Sequence, residues 1–157
     1  MNYEIVELKS RLFLGKRLTM SLTNDKTFEL WHSFMPGLKD VKGRSGLELY
    51  SIIHYPEIYF GRFNPSFEFE KWAAVEVFTE DFCPNGYEFL SCPGGTYAQF
   101  KHIGSMEKFK ASMVEIYSKI IPNSPYSFDN RPHITIMGER YNPQSEFSEE
   151  EILVPIK

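Results

Sequence analysis

Two amphipathic helical segments, each set between extended segments, constrain the fold of this 157-residue chain more than any other feature. The apolar positions that recur at three- and four-residue spacing are Phe28, Trp31, Met35 and Leu38 in the first helix, and Phe109, Met113, Ile116, Tyr117 and Ile120 in the second. A helix with one apolar face must bury that face against a sheet or another helix. The pattern therefore predicts two helices packed on a sheet.

The extended segments repeat in the same order around both helices. Residues 3–8 and 12–20 precede the first helix, as a strand pair or one bent strand, and residues 47–54 and 72–78 follow it. The second helix is preceded by residues 87–90 and 96–102 and followed by residues 133–137 and 151–156. This order predicts one α+β domain over residues 1–157, built from duplicated β-α-β-β halves with mostly antiparallel strands and a ligand site where the halves meet.

Local signals mark the ends of these elements. Asn24 or Asp25 can cap the first helix and Ser105 the second, because their side-chain oxygens accept from the first free backbone N–H groups. Pro36 should end or distort the first helix, since proline has no N–H to donate. The segment SCPGG at 91–95 separates two extended runs and predicts a hairpin connection.

The charge balance argues against several classes of partner. The net charge is −4 and the sequence pI is about 5.6, so no broad attraction for nucleic acid or an anionic membrane surface is expected. No apolar run approaches the roughly 20 residues that span a bilayer, and the first residues lack the apolar core of a signal peptide. The strands begin too early to leave room for a preceding helix-turn-helix. We expect a cytoplasmic domain without its own DNA-binding region.

The cysteines and histidines do not form a recognisable metal or redox motif. Cys83 and Cys92 match neither a CxxC pair nor a zinc site, and the four histidines make no HxH or HxxxH pair. The sequence therefore predicts reduced thiols and neither a metal nor a cofactor. The 14 Phe, 9 Tyr and 2 Trp are compatible with a heavy core or with an aromatic pocket.

Five short motifs cover most of the chain in a specific order. They are EKWAAVEV at 70–77, CPGGTYAQF at 92–100, YSKIIPNS at 117–124, DNRPH at 129–133 and EEILVPIK at 150–157. Together they resemble the GyrI-like small-molecule-binding family, the type of effector-binding domain found in AraC regulators. The front end, with KRLTM at 16–20 and WHSFMP at 31–36, is similar to stand-alone members of that family.

The resemblance implies a SOUL-like fold of two β-α-β-β repeats with pseudo-twofold symmetry and a central ligand groove. In many members this multidrug-type groove accepts flat or amphipathic cations, held by aromatic walls and a buried carboxylate. Transferred to this chain, the resemblance and strand alternation suggest ligand contacts at Trp72, Glu76, Tyr50, Phe100, Tyr117, Ile120, Thr135 and Met137. Core packing remains the alternative role for Tyr50, Phe100 and Tyr117.

The chain departs from the family at two pocket positions. Thr135 stands where the family has its glutamate, and Ile120 replaces a helix-end tryptophan. Losing both groups favours a more neutral ligand unless another acid substitutes. Glu76 is the best substitute, because alternation along the strand gives it the same face as Trp72, although a solvated strand end would equally suit it. Glu139 is a weaker candidate, since it should lie in a turn.

Three functions remain open on this basis. The first is a sensor or sequestering domain for an amphipathic or aromatic, even cationic, small molecule, with a separate regulator protein as a candidate partner. The second is a hydrolase of strained cyclopropane-containing compounds, which would need Glu76 or Glu139 as general base. The third is a protein-interaction module such as a topoisomerase modulator, for which no surface stands out. We favour the first and assign no catalytic residue.

Overall fold

The computed structural model describes residues 1–61 and 63–157. The strands are β1 (Tyr3–Leu8), β2 (Arg11–Met20), β3 (Leu49–His54), β4 (Phe69–Glu76), β5 (Glu88–Cys92), β6 (Gly95–Ile103), β7 (His133–Met137) and β8 (Glu149–Pro155). The helices are α1 (Thr27–Phe34) and α2 (Met106–Glu115), and α2 continues as a π-helical turn over Ile116–Ile120. Short 3-10 turns cover Met35–Asp40 and Glu57–Phe60.

The eight strands form one open antiparallel sheet in the order β1-β6-β8-β7-β3-β4-β2-β5. Each half of the chain has the form ββαββ, and reading the sheet from either edge gives the same order with the halves exchanged. The predicted α+β class and the duplicated, pseudo-twofold architecture are confirmed. The approximate twofold axis passes between β3 and β7, which are the two central strands of the sheet, one from each half, and pair with each other.

The first strand of each half pairs with the other half. β1 pairs with β6, and β5 pairs with β2. The expectation that the first two extended segments form a strand pair or one bent strand is therefore wrong. So is the hairpin expected at SCPGG, because β5 and β6 have different partners. Hydrophobic alternation identifies strands but does not specify which strand lies beside which.

These exchanges force the sheet to fold over on itself. Lys9 and Ser10 alone join β1, at one edge, to β2, next to the opposite edge. Such a link spans only about 10 Å, so the two edges must lie close together. The short connection between β5 and β6, which we call the corner between these strands, is the symmetry-related counterpart of the β1–β2 connection. The two connections cross each other, and Gly94 packs there against the backbone of residues 8–10. The sheet thus has an inner face, which closes on itself, and an outer face.

Both helices cover the outer face. Leu30 and Phe34 of α1 pack on Leu14, Val75 and neighbouring side chains, whereas the segment from α2 to Ile121 packs on Phe100, Ile152 and Val154. The prediction that Phe28 belongs to the apolar face of the first helix is wrong, since its side chain is 80% exposed. The α-helix ends at Phe34 and continues as a 3-10 turn containing Pro36, so Met35 and Leu38 do not extend one helical stripe.

The predicted punctuation of the helices is largely confirmed. Ser105 is the N-cap of α2, and its hydroxyl accepts from the backbone N–H of Lys108 at 3.3 Å. The cap predicted for α1 at Asn24 or Asp25 is wrong, because the N-cap is Lys26, although Asp25 still accepts from the Thr27 backbone N–H at 2.9 Å. Across residues 1–61 and 63–157, no helix has the length and apolar character of a membrane span, and no three His, Cys, Asp or Glu side chains gather as metal ligands would.

Candidate functional site

A cluster of side chains that all come from strands fills the inner face of the sheet, and we call it the inner cluster. Its buried members are Phe13, Tyr50, Ile52, Trp72, Ala74, Cys92, Tyr97, Ile134 and Leu153. Trp72, Ala74 and Glu76 alternate on this face of β4, as the sequence predicted. Because β6 and β4 are separated by three strands in the sheet, their contact within one buried cluster is a consequence of the folded-over sheet.

Among the described residues, three arginine side chains lie against the aromatic rings of the inner cluster. The guanidinium carbon of Arg11 is 5.2 Å from the centre of the Tyr50 ring, that of Arg17 is 5.7 Å from Trp72, and that of Arg131 is 4.6 Å from Tyr97. Each guanidinium also forms an ion pair with a carboxylate, on Glu76, Glu70 or Asp129 respectively. These arginines therefore occupy the aromatic ring faces to which an external cation would otherwise bind.

A cavity of about 530 Å³ opens at one end of the inner face, and we call it the end pocket. It lies where β2 and β3 end, β4 and β7 begin, and the corner between β5 and β6 approaches. The lining residues are Thr19, His54, Tyr55, Pro56, Glu68, Phe69, Glu70, Ser91, Pro93, Asn130, Arg131 and Pro132. Its volume and its mixture of apolar walls with a few polar groups are typical of small-molecule sites.

Glu70 connects the end pocket to the inner cluster. One carboxylate oxygen accepts from Nε1–H of Trp72 at 2.8 Å, and the other accepts from a terminal nitrogen of Arg17 at 2.9 Å. Arg17 also donates to both carboxylate oxygens of Glu88, at 3.0 and 3.2 Å. Both oxygens of Glu70 therefore already have donors within the protein.

Two nitrogen atoms beside the pocket have no hydrogen-bond partner. Arg131 donates to Asp129 at 2.6 Å and to the backbone oxygens of Thr96 and Ile156, but its Nη1 has no hydrogen-bond partner among the described residues. Nε2 of His54 is likewise buried without a partner in that part of the chain. Burial lowers the pKa of His54, with Glu70 opposing the shift, so its imidazole is neutral at pH 7.

Glu76 lies at the other end of β4 and outside the end pocket. Both of its carboxylate oxygens accept from Arg11, at 2.8 and 3.3 Å, and Arg11 also donates to the Tyr50 hydroxyl at 3.0 Å. The side chains of Arg11 and Glu76 are each about one-fifth exposed. This arrangement holds the Glu76 carboxylate in place through an ion pair and is compatible with a structural role.

The structure brings three of the eight sequence-predicted ligand contacts together on the inner face: Trp72, Tyr50 and Glu76. The other five do not join them. Phe100, Tyr117 and Ile120 belong to the cluster under α2 on the outer face. Thr135 and Met137 alternate with Ile134 and Ile136, which face the inner cluster, so their side chains lie on the other face of β7. Motif position alone could not distinguish the two faces.

Tyr117 is part of an aromatic assembly on the outer face. Its hydroxyl lies 2.7 Å from Nδ1 of His133, and its ring stacks on Phe60 and Phe128. Burial raises the pKa of Tyr117 well above its usual value and lowers that of His133 to about 3. Both side chains are therefore neutral at pH 7, and together with Tyr55 they join the outer layers of the two halves.

Sequence reasoning missed the polar residues of the end pocket. Glu70 could have been predicted from the sequence, because it precedes Trp72 by two residues and so lies on the same face of the strand. Arg131 belonged to the DNRPH motif but carried no assigned role. Arg17 and His54 come beside Glu70 only through the pairing of β2 and β3 with β4, which the sequence does not specify.

Comparisons with known proteins agree on one architecture. A family model described as GyrI-like small molecule binding domain matches residues 1–157. The structure of SAV2435 bound to tetraphenylphosphonium aligns with a TM-score of 0.77 at 16% identity, covering 100% of this chain and 94% of that chain. A search of curated proteins found no match.

Two further solved structures share this fold. The EcmrR C-terminal domain aligns with a TM-score of 0.67 at 14% identity and covers 100% of this chain and 99% of that one. A hydrolase encoded by lin2189 from Listeria innocua aligns with a TM-score of 0.60 at 13% identity, covering 99% and 91% of the two chains. At these identities the alignments establish a shared fold alone.

Proposed function

We propose, from the premise that this chain belongs to the GyrI-like small molecule binding domain family, that it binds one amphipathic or aromatic molecule in the end pocket. The observation that carries the proposal is the cavity of about 530 Å³, which combines aromatic and proline walls with Glu70, His54 and Arg131. Pockets of roughly 300 to 1,000 Å³ suit drug-sized ligands. The proposed ligand position therefore lies beside the inner face, where Trp72, Tyr50 and Glu76 of the eight sequence-predicted contacts are found.

We further propose that binding serves sensing or sequestration in the cytoplasm. The fold similarity to the EcmrR C-terminal domain, together with the family, supports a relation to the effector-binding domains of regulators. The net charge of −4 argues against direct contact with nucleic acid or an anionic membrane surface. Any effect on transcription would then pass through a separate regulator protein.

Trp72 provides the test of binding in the end pocket. Its indole N–H donates to Glu70, which lines the pocket, so a bound ligand should change its emission. In a Trp31→Phe background, Trp72 is the one remaining tryptophan. We expect its emission to quench or shift on titration with members of a panel of flat cationic dyes and neutral aromatic compounds, alongside a rise in melting temperature.

The matched control is Trp72→Phe, which leaves Trp31, a residue of α1 on the outer face. That variant should show no comparable emission change at saturating ligand. A panel that leaves both the melting temperature and the Trp72 emission unchanged would contradict the proposal. An equal change in both variants would place binding elsewhere in the molecule.

Hydrolysis of strained cyclopropane compounds is the alternative, and we expect it to be absent. A general base must lie within hydrogen-bond reach of the attacking water. Neither Glu76 nor Cys92 lines the end pocket, the Glu76 carboxylate is held by Arg11, and burial raises the pKa of the Cys92 thiol to about 12. Incubation with such an electrophile and mass spectrometry for the water adduct measures this directly. Turnover that disappears in Glu76→Gln would show that the protein is an enzyme.

A further inference from the structure

We infer that the end pocket selects a neutral aromatic molecule carrying a hydrogen-bond acceptor, such as an amide or ketone oxygen, and that Arg17 keeps organic cations out. This inference rests on the proposed function and names the ligand class of the same site. It depends on which polar groups around the pocket already have partners and which do not. The groups involved are Glu70, Arg17, Arg131 and His54.

Arg17 already makes the two interactions that an aromatic cation would need. Its guanidinium pairs with Glu70 at 2.9 Å and lies 5.7 Å from the centre of the Trp72 ring. Its bidentate contact with Glu88 fixes the plane of the guanidinium. A tethered group competes at an effective concentration on the order of millimolar. A free cation must therefore displace Arg17 before it reaches the carboxylate and the ring.

One unmatched group beside the end pocket is unambiguously a donor. Within residues 1–61 and 63–157, Nη1 of Arg131 is buried without a hydrogen-bond partner. Nε2 of His54 is also buried without a partner, but Nδ1 of this neutral imidazole lies 3.7 Å from Glu70, so the proton belongs on Nδ1 and Nε2 is an acceptor. Leaving a buried donor unsatisfied is destabilising, and a ligand oxygen that reaches Nη1 after a small side-chain adjustment relieves part of that cost. Arg131 therefore favours a ligand that carries an acceptor.

The local charge decides between a neutral and an anionic acceptor. Arg131 already forms an ion pair with Asp129 at 2.6 Å, so its charge is largely compensated. Glu70 is likewise compensated by Arg17, whereas Glu68 also lines the pocket and would repel a carboxylate or phosphate group. An uncharged carbonyl oxygen can use the Arg131 donor without meeting this repulsion. The favoured ligand is therefore a neutral one.

A matched naphthalene series tests the inference by titration calorimetry. The probes are 2-naphthamide as neutral acceptor, (2-naphthylmethyl)trimethylammonium as cation and 2-naphthoate as anion. We expect the wild-type protein to bind the amide at least about tenfold more tightly than either ion, a difference equivalent to roughly 1.4 kcal/mol. Arg17→Met keeps the length of the aliphatic stem and removes the charge, so it should raise affinity for the cation about tenfold and leave the amide unchanged.

Two further variants separate this effect from general changes in charge or stability. Arg140→Met removes an exposed arginine that pairs with Glu149 and should leave all three affinities unchanged. Arg131→Lys keeps a positive charge but removes the planar guanidinium, and should weaken amide binding about tenfold. If Arg131→Lys does not fold, the wild-type protein should bind 2-vinylnaphthalene, which lacks the acceptor oxygen, about tenfold more weakly than the amide.

The outcomes distinguish the two proposals. Tighter binding of the cation than of the amide by the wild-type protein would overturn the ligand class while leaving the proposed function in place. An unchanged cation affinity in Arg17→Met would overturn the role of Arg17. Failure of all three probes to bind either the wild-type protein or Arg17→Met would also overturn the ligand class, whereas small-molecule binding in the end pocket is overturned if the wider panel also leaves the Trp72 emission and the melting temperature unchanged.

Discussion

Replacing Gly94 with alanine is expected to lower the free energy of unfolding by about 3 kcal/mol, the upper part of the usual range for overpacking. A Cβ at this position would lie 2.8 Å from the carbonyl carbon of Lys9 and from the amide nitrogen of Ser10, and also in collision with the Leu8 oxygen. These are backbone atoms of the other crossing corner, so no side-chain rotation can relieve the clash. Urea unfolding with an unchanged m-value would measure the loss.

Gly61→Ala is the control for this change. Gly61 has φ −77°, and the nearest atom to its added Cβ lies at 3.7 Å, which is ordinary van der Waals contact. That substitution should be neutral or stabilise slightly, because alanine reduces the freedom of the unfolded chain. If Gly94→Ala unfolded at the same urea concentration as Gly61→Ala, the close crossing of the two corners would be contradicted.

Phe13→Ala is expected to reduce stability by about 4 kcal/mol, as large-to-small substitutions of buried aromatic residues do. Phe13 is fully buried in the inner cluster and packs edge-on against Tyr50, with ring centres 4.9 Å apart. Removing the ring leaves a cavity between the two halves of the sheet and withdraws one of the surfaces beneath Arg11. The shift of the urea midpoint reports the loss.

Phe78→Ala provides the matched comparison, since Phe78 is 73% exposed. Its loss should change stability by no more than about 0.5 kcal/mol, as for other surface substitutions. Similar destabilisation by the two alanine variants would mean that the inner cluster does not hold the halves together.

The sequence was sufficient to predict the local architecture. The proline at position 36 marked the end of α1 and Ser105 the start of α2, although Phe28, Met35 and Leu38 of the predicted apolar stripe do not lie on one buried helical face. The segment over residues 133–137 was predicted with the bounds of β7. These features depend on neighbours within a few residues, where propensity and capping act directly.

The site was harder to predict because it depends on strand pairing. Alternation along one strand correctly grouped Trp72 with Glu76, but could not relate them to Phe100 or Thr135 on other strands. A one-residue change of register reverses every side chain of a strand, so inner and outer residues cannot be sorted without the pairing. The end pocket combines four strands and a corner that are distant in sequence, and its polar groups were missed for that reason.

The exchanged first strands also determine when the domain can fold during synthesis on the ribosome. β1 pairs with β6 alone, so its backbone groups on the pairing side lack a partner until residues 95–103 have emerged. Until then the nascent first half contains an unpaired strand. A chain in this state is prone to aggregation and can be bound by chaperones. Closure of the sheet becomes a late, long-range event, which predicts slow folding and a strong dependence of soluble yield on the speed of translation.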